Sequence, residues 1–209
     1  MKKDFTIKFI GFAVMLMMSF SSIQAQDATT TDDYNSSARF GVRGGVLIAR
    51  QTFEDGNLDD NAKSKFGADL AVLFNFPIGD GVFMLQPELH WLQKGSVIED
   101  INNDDITNTF NYIELPLLLR LNFGESAKIF AFGGPSIGYL LSGKLGDVDI
   151  DRDFYEDLEW GVHLGFGVGV GPVEIDVRYL AGLSDISAVD GNLSEVKNSA
   201  FGAGVTLKF

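Results

Sequence analysis

The run Tyr112-Ile-Glu-Leu-Pro-Leu-Leu-Leu-Arg-Leu-Asn-Phe123 decides the fold. It separates into two interleaved sets. Ile113, Leu115, Leu117, Leu119, Leu121 and Phe123 form one, and Tyr112, Glu114, Pro116, Leu118, Arg120 and Asn122 form the other. Successive side chains of a strand point to opposite faces, so a period of two gives one apolar face and one face carrying charge of both signs. The same pattern recurs upstream, where Phe83, Leu85, Pro87, Leu89 and Trp91 oppose Gln86, Glu88, His90 and Lys94. Downstream, Val173, Ile175, Val177, Tyr179 and Ala181 oppose Glu174, Asp176 and Arg178.

Weaker copies complete a set of eight predicted strands: Arg39–Ala49, Ser64–Phe76, Val82–Lys94, Phe110–Phe123, Lys128–Leu141, Glu159–Val170, Val173–Leu183 and Asn198–Phe209. The fifth changes phase near Gly133, Gly134 and Pro135, where a bulge is expected because proline lacks an amide donor and glycine permits the bend. Connections alternate in length. Residues 51–63, 95–107, 142–157 and 184–197 are long, whereas 77–81, 124–127 and Gly171-Pro172 are short. An even number of antiparallel strands with alternating short turns and long loops is the pattern of an all-β, eight-stranded, up-and-down transmembrane β-barrel with both termini in the periplasm.

Period two alone does not say which face is outside. In a soluble barrel the apolar face points inward; in a membrane barrel the faces exchange. Three features favour the membrane. Trp91, Trp160, Phe74, Phe76, Tyr179 and Phe123 lie on the apolar faces, many at strand ends where aromatic girdles sit. The opposite faces mix charge of both signs with glycines such as Gly161, Gly165, Gly167 and Gly169, which suits a lumen so narrow that side chains fill it. Closure also satisfies the backbone where lipid offers no hydrogen bonds.

Composition narrows the partners. The chain has 209 residues, no cysteine, 24 glycines, 18 phenylalanines and a net charge of −13. Disulfides, thiolate metal sites, cysteine nucleophiles and lipidated cysteines are excluded. The acid excess argues against nucleic acid, which needs clustered Lys and Arg. Residues 1–25 read as a signal peptide, with Lys2, Lys3 and Lys8 flanking an apolar Phe9–Phe20 stretch and a small, polar region ending at Ala25. About 12 apolar residues fall short of the roughly 20 that a spanning helix needs. A polar tail (26–37) precedes the barrel (38–209). After removal of the signal the balance is −15, of which the four long loops carry −13.

Pro87-Glu88-Leu89, Lys94-Gly95, Tyr112 to Arg120 and Gly133-Gly134-Pro135-Ser136-Ile137-Gly138 resemble the outer-membrane β-barrel family of Bacteroidetes, which includes PorT-like and small porin-family proteins. The resemblance spans about residues 38–209 and implies residence in the cell outer membrane. It also implies that Phe209 is the terminal aromatic signal read by the barrel-insertion machinery.

Other motifs carry less. The glycines of Gly165–Gly171 fall on alternate residues of a strand with no following helix to receive a phosphate, so they read as packed lumen wall. His90 and His163 have no serine at matching depth on their own strands, and read as members of a charge network. Glu88, Glu114 and Arg120 are expected to meet across neighbouring strands, the acids held ionised by arginine. Asp147, Asp149, Asp151 and Asp153 alternate in the third long loop without the glycine and glutamate of a calcium loop.

The expected lumen network is Arg43, Asp69, Glu88, His90, Glu114, Arg120, Glu174, Asp176 and Arg178. No catalytic residue, cofactor or metal is expected. The expected role is non-enzymatic, structural or surface-interacting, in a monomer surrounded by outer-membrane lipid, with the long loops available to a protein partner. The rivals are a small porin, an accessory of a secretion machinery and a lipid hydrolase.

Overall fold

The computed structural model describes residues 39–53, 62–79, 82–99, 105–124, 128–146, 148–149, 158–184 and 196–209. The signal segment 1–25, the tail 26–37, and Asp147, Asp151 and Asp153 of the acidic run lie outside the described residues. Among the described residues there are nine strands: β1 (Arg39–Phe53), β2 (Ala62–Ile78), β3 (Phe83–Glu99), β4 (Asp105–Phe123), β5 (Lys128–Leu145), β6 (Val148–Asp149), β7 (Leu158–Val170), β8 (Val173–Gly182) and β9 (Val196–Lys208). Strand β6 folds back on the end of β5. The other eight form the wall, each pairing antiparallel with its sequence neighbours, and β1 pairs with β9 to close the cylinder.

Closure resolves which face is outside. Arg43, Asp69, Glu88, His90, Arg120, Asp176 and Arg178 are at most 3% exposed, while Phe66, Phe166 and Phe201 are more than 60% exposed. The charged face lines the lumen and the apolar face is the outer surface, the inversion that hydrocarbon requires. Trp160, Tyr179 and Phe123 lie on that outer surface. At the short-turn end, Phe40 packs on Phe74 and on Phe209, with ring centroids 5.5 and 5.8 Å apart.

Several strands run longer than their apolar alternation predicts. β3 reaches Glu99 and β4 begins at Asp105, five residues into one flank of the expected loop 95–107 and three into the other. Spanning the bilayer takes about 9–11 tilted residues. The 17 and 19 residues of these strands therefore continue beyond the bilayer, where apolar and polar residues share a face in Gly95–Ile98 and Ile106–Thr109 and the alternation fades.

The expected bulge at Gly133–Pro135 is not there. Pairing of β5 with β7 runs unbroken from Lys128↔Gly169 to Tyr139↔Leu158. The register shifts lie instead between Ser64 and Asp69 of β2 and between Asn111 and Tyr112 of β4. What looked like a change of phase is an aromatic pair turned inward. Phe130 and Phe132 are lumenal and buried, with the Arg120 guanidinium 3.6 Å over the first ring and that of Arg178 4.9 Å over the second.

Those inward rings explain the glycines opposite them. A Cβ on Gly165 would lie 2.4 Å from the Phe132 ring, and one on Gly167 the same distance from the Phe130 ring. Gly165→Val is therefore expected to destabilise the folded barrel by about 1–3 kcal/mol through overpacking. Gly44→Val, which points outward and meets only a Leu70 methyl at 4.0 Å, is expected to leave stability unchanged. The temperature at which the compact band converts to the unfolded band on a gel reads both.

Candidate functional site in the barrel lumen

Alternation delivers one side chain to the lumen every second residue on every strand, and eight strands leave a core narrow enough for opposite walls to touch. The lumen contains three connected polar layers.

The central layer is a closed ring of six side chains from β1, β2, β3 and β8. Arg43 on β1 is paired with Asp69 on β2. Asp69 Oδ1 lies 2.7 Å from His90 Nδ1, and His90 Nε2 lies 2.5 Å from Glu88 Oε2. Arg178 donates to Glu88 Oε2 at 2.8 Å and, through Nε, to Asp176 Oδ1 at 2.9 Å. Asp176 returns to Arg43 through bonds of 2.9 and 3.0 Å. β3 and β8 are four strands apart in either direction, so the Arg178–Glu88 pair crosses the full diameter. Both nitrogens of His90 face carboxylates, the arrangement of an imidazolium donating on both sides. The ring then holds three positive and three negative groups.

The layer nearest the short turns is built on Glu174, which accepts from Arg120 at 2.8 and 2.6 Å and from Lys208 at 2.7 Å. Gln86 ties it to the ring, accepting from Arg120 at 3.2 Å and from Asn75 at 2.6 Å while donating to Glu88 at 2.5 Å. The layer nearest the long loops holds Lys94 between Glu114 at 2.8 Å and Glu159 at 3.4 Å. His163 Nε2 lies 2.7 Å from Glu114, and Asn198 donates to Glu159 at 3.1 Å. Around it Leu47, Leu92, Phe110, Tyr112, Leu140 and Leu180 form a buried apolar cluster.

All nine of the expected network residues point into this lumen, but one expected grouping does not form. Arg120 meets neither Glu88 nor Glu114. The pairing Pro87↔Leu117 sets Glu88 level with Pro116, four residues or about 13 Å along the strand from Arg120. Arg120 instead reaches Glu174, three strands away around the wall.

Lys94, Glu159, His163 and Lys208 belong to the same network. Their inward parity was readable; Lys94 and Lys208 also meet acids on the neighbouring strand, whereas the Lys94–Glu159 and His163–Glu114 contacts cross to strands distant in sequence. Ligand-type atoms of Glu88, His90 and His163 lie within 4.8 Å of one another. Arg178 stands 2.8 Å from Glu88 Oε2 and 3.3 Å from His90 Nε2, which places a fixed positive charge where a cation would bind.

A family model described as "Outer membrane protein beta-barrel domain" matches residues 24–188. None of the curated proteins matches the chain. Among solved structures, Neisserial surface protein A has a TM-score of 0.51 at 18% identity, covering 83% of this chain and 99% of its own. OprG from Pseudomonas aeruginosa gives 0.49 at 13%, covering 84% and 97%. Ail, the attachment invasion locus protein of Yersinia pestis, gives 0.44 at 15%, covering 83% and 99%. At such identities the likeness is one of fold.

Removing one member of the ring strands its partners. Arg178→Met leaves Glu88 with His90 and Asp176 with Arg43 as the one remaining ring cation of each, and a loss of up to about 3–5 kcal/mol is expected. Adding Glu88→Gln is expected to restore part of it. Urea unfolding of both variants in detergent, followed by Trp91 and Trp160 fluorescence, measures the difference.

Proposed function

Since the chain belongs to the outer membrane protein β-barrel domain family and resides in the outer membrane, we propose that it is a non-enzymatic structural or surface-interaction protein working through its long loops. The observation that carries this reading is the ring of Arg43, Asp69, His90, Glu88, Arg178 and Asp176 across the lumen. A lumen bridged wall to wall offers the solvent no continuous path, and aqueous channels are built from about 16 or more strands. The long loops concentrate 17 acidic residues against Lys63, Lys144, Arg152 and Lys197. They present an anionic rim to a protein partner, and the barrel itself works as a monomer.

The porin reading predicts steady current through single barrels. The structural reading predicts none. Planar-bilayer recordings of the folded protein are expected to stay at noise level, and reproducible unitary conductance would sink the proposal. Crosslinking from the long loops in intact cells is expected to capture a partner outside the cell.

A second reading, that of a PorT-like accessory to a Bacteroidetes secretion machinery, is favoured by the Tyr112 to Arg120 run. It predicts crosslinks from the short turns instead, to a periplasmic component. Under either reading Phe209 serves as the recognition signal for barrel insertion. The residue is 66% exposed and its amide closes the seam by donating to Phe40 O at 2.8 Å. Phe209→Ala is expected to slow insertion by the assembly machinery in reconstituted vesicles several-fold while spontaneous refolding in detergent still reaches completion.

A further inference from the structure

The short-turn end of the lumen opens into a cavity of about 240 Å³ to which every one of the eight wall strands contributes. Its wall is basic. Arg39, Arg120, Lys128 and Lys208 line it, and Glu174 is the one carboxylate among the described lining residues. That acid is already neutralised twice, by both Arg120 terminal nitrogens and by Lys208. Among the described lining residues four cations therefore face one carboxylate, in a chain whose net charge is −13. Lys208 gives one bond to Glu174, and an ammonium has three donors to give.

Two further features narrow the ligand. Asn75 lines the cavity, is fully buried and donates through Nδ2 to Gln86, while its Oδ1 has no partner among the described residues. Exchanging the two amide atoms would set its oxygen against Gln86 Oε1, which already accepts from Arg120 at 3.2 Å. The free atom is thus an acceptor and calls for a ligand that donates. The cavity is also smaller than the roughly 300–1,000 Å³ of pockets that hold drug-sized molecules.

We propose that this vestibule binds a small oxyanion of the phosphate class, inorganic phosphate or a phosphate monoester carrying an O–H. The cations of the wall hold its charged oxygens, and an O–H donates to Asn75 Oδ1: the last proton of inorganic phosphate, or an alcohol hydroxyl of the ester, whose own phosphate is mostly dianionic at neutral pH. Charge-assisted hydrogen bonds from Arg and Lys to phosphate are among the strong ones. A sulfate has nearly the same shape but no O–H at neutral pH, so the acceptor gives the site a means of telling the two apart. The opening lies on the barrel axis, at the end that in outer-membrane barrels faces the periplasm. A soluble anion reaches it directly, whereas a phospholipid headgroup has to bend around the rim.

The test is calorimetric titration of the full folded barrel, in zwitterionic detergent at low ionic strength, with inorganic phosphate, glycerol 3-phosphate and sulfate. Saturable binding of both phosphates is expected, with sulfate roughly tenfold weaker and all affinities falling as salt is added. Arg39→Gln and Lys128→Gln, with compact gel migration confirming that each has folded, are each expected to weaken phosphate binding roughly tenfold. Lys144→Gln, at the opposite end, is expected to change nothing. Asn75→Ala is expected to narrow the gap between phosphate and sulfate. Repeating the titration in nanodiscs of phosphatidylcholine and of phosphatidylglycerol separates the sources. Binding that survives in both assigns the site to a soluble phosphate, and binding abolished in both assigns it to a lipid headgroup. Absence of saturable binding at low-millimolar phosphate, equal affinity for sulfate, or unchanged affinity in Arg39→Gln and Lys128→Gln would each overturn the proposal.

Discussion

Hydrocarbon accepts and donates no hydrogen bonds, and the architecture answers that constraint. Each backbone amide at membrane depth needs a partner on the next strand, and a sheet with two free edges always leaves some without one. Pairing β1 with β9 removes the edges. Once eight strands close, the interior is too narrow for bulk water and too wide to stay empty, so side chains must fill it. The lumen's charges, its glycines and its inward-turned rings are consequences of that one closure.

How the interior is filled also explains a composition unusual for a globular domain. Charged side chains inside a wall of low polarity are tolerable only when each meets its opposite. The layers centred on Glu174, on the Arg43–Arg178 ring and on Lys94 satisfy that condition, each with at least one pair that joins strands distant in sequence. Long guanidinium groups crossing a narrow space need bare wall opposite them. A Cβ on Gly204 would lie 2.4 Å from the Arg43 guanidinium. Glycine here is the counterpart of arginine, and the two have to be read together.

The wall was legible in the sequence because a strand's two faces meet different media. The Ile113–Phe123 set and the Tyr112–Asn122 set belong to lipid and lumen respectively, and single residues carry that assignment. The interior was less legible, for two physical reasons. Partners in the lumen are fixed by register and by distance around the cylinder, so Arg120 could not be matched to Glu174, 54 positions away, from spacing alone. An apolar residue also does not announce its face. The phase of β5 near Gly133–Pro135 suggested a bulge, whereas Phe130 and Phe132 face the lumen under two guanidinium groups and the strand keeps one parity through Gly133–Pro135. The extended arms of β3 and β4 escaped notice for a related reason: beyond the bilayer the outer face no longer meets lipid, and apolar and polar residues share a face from Gly95 to Ile98 and from Ile106 to Thr109.

The seam between β1 and β9 has a consequence for how such a chain is made. Thirteen residue pairs, from Gly41↔Lys208 to Phe53↔Val196, join the first strand of the wall to the last. Ribosomes deliver those strands at opposite ends of synthesis, so β1 spends the whole of translation and export without its final neighbour. No partial product can bury its own edges, and any nascent sheet would present open amides to whatever strand came near. The barrel must therefore travel as an unfolded polymer and fold after its last strand has arrived. Its topology makes closure an event of the whole chain, which no part of it can anticipate.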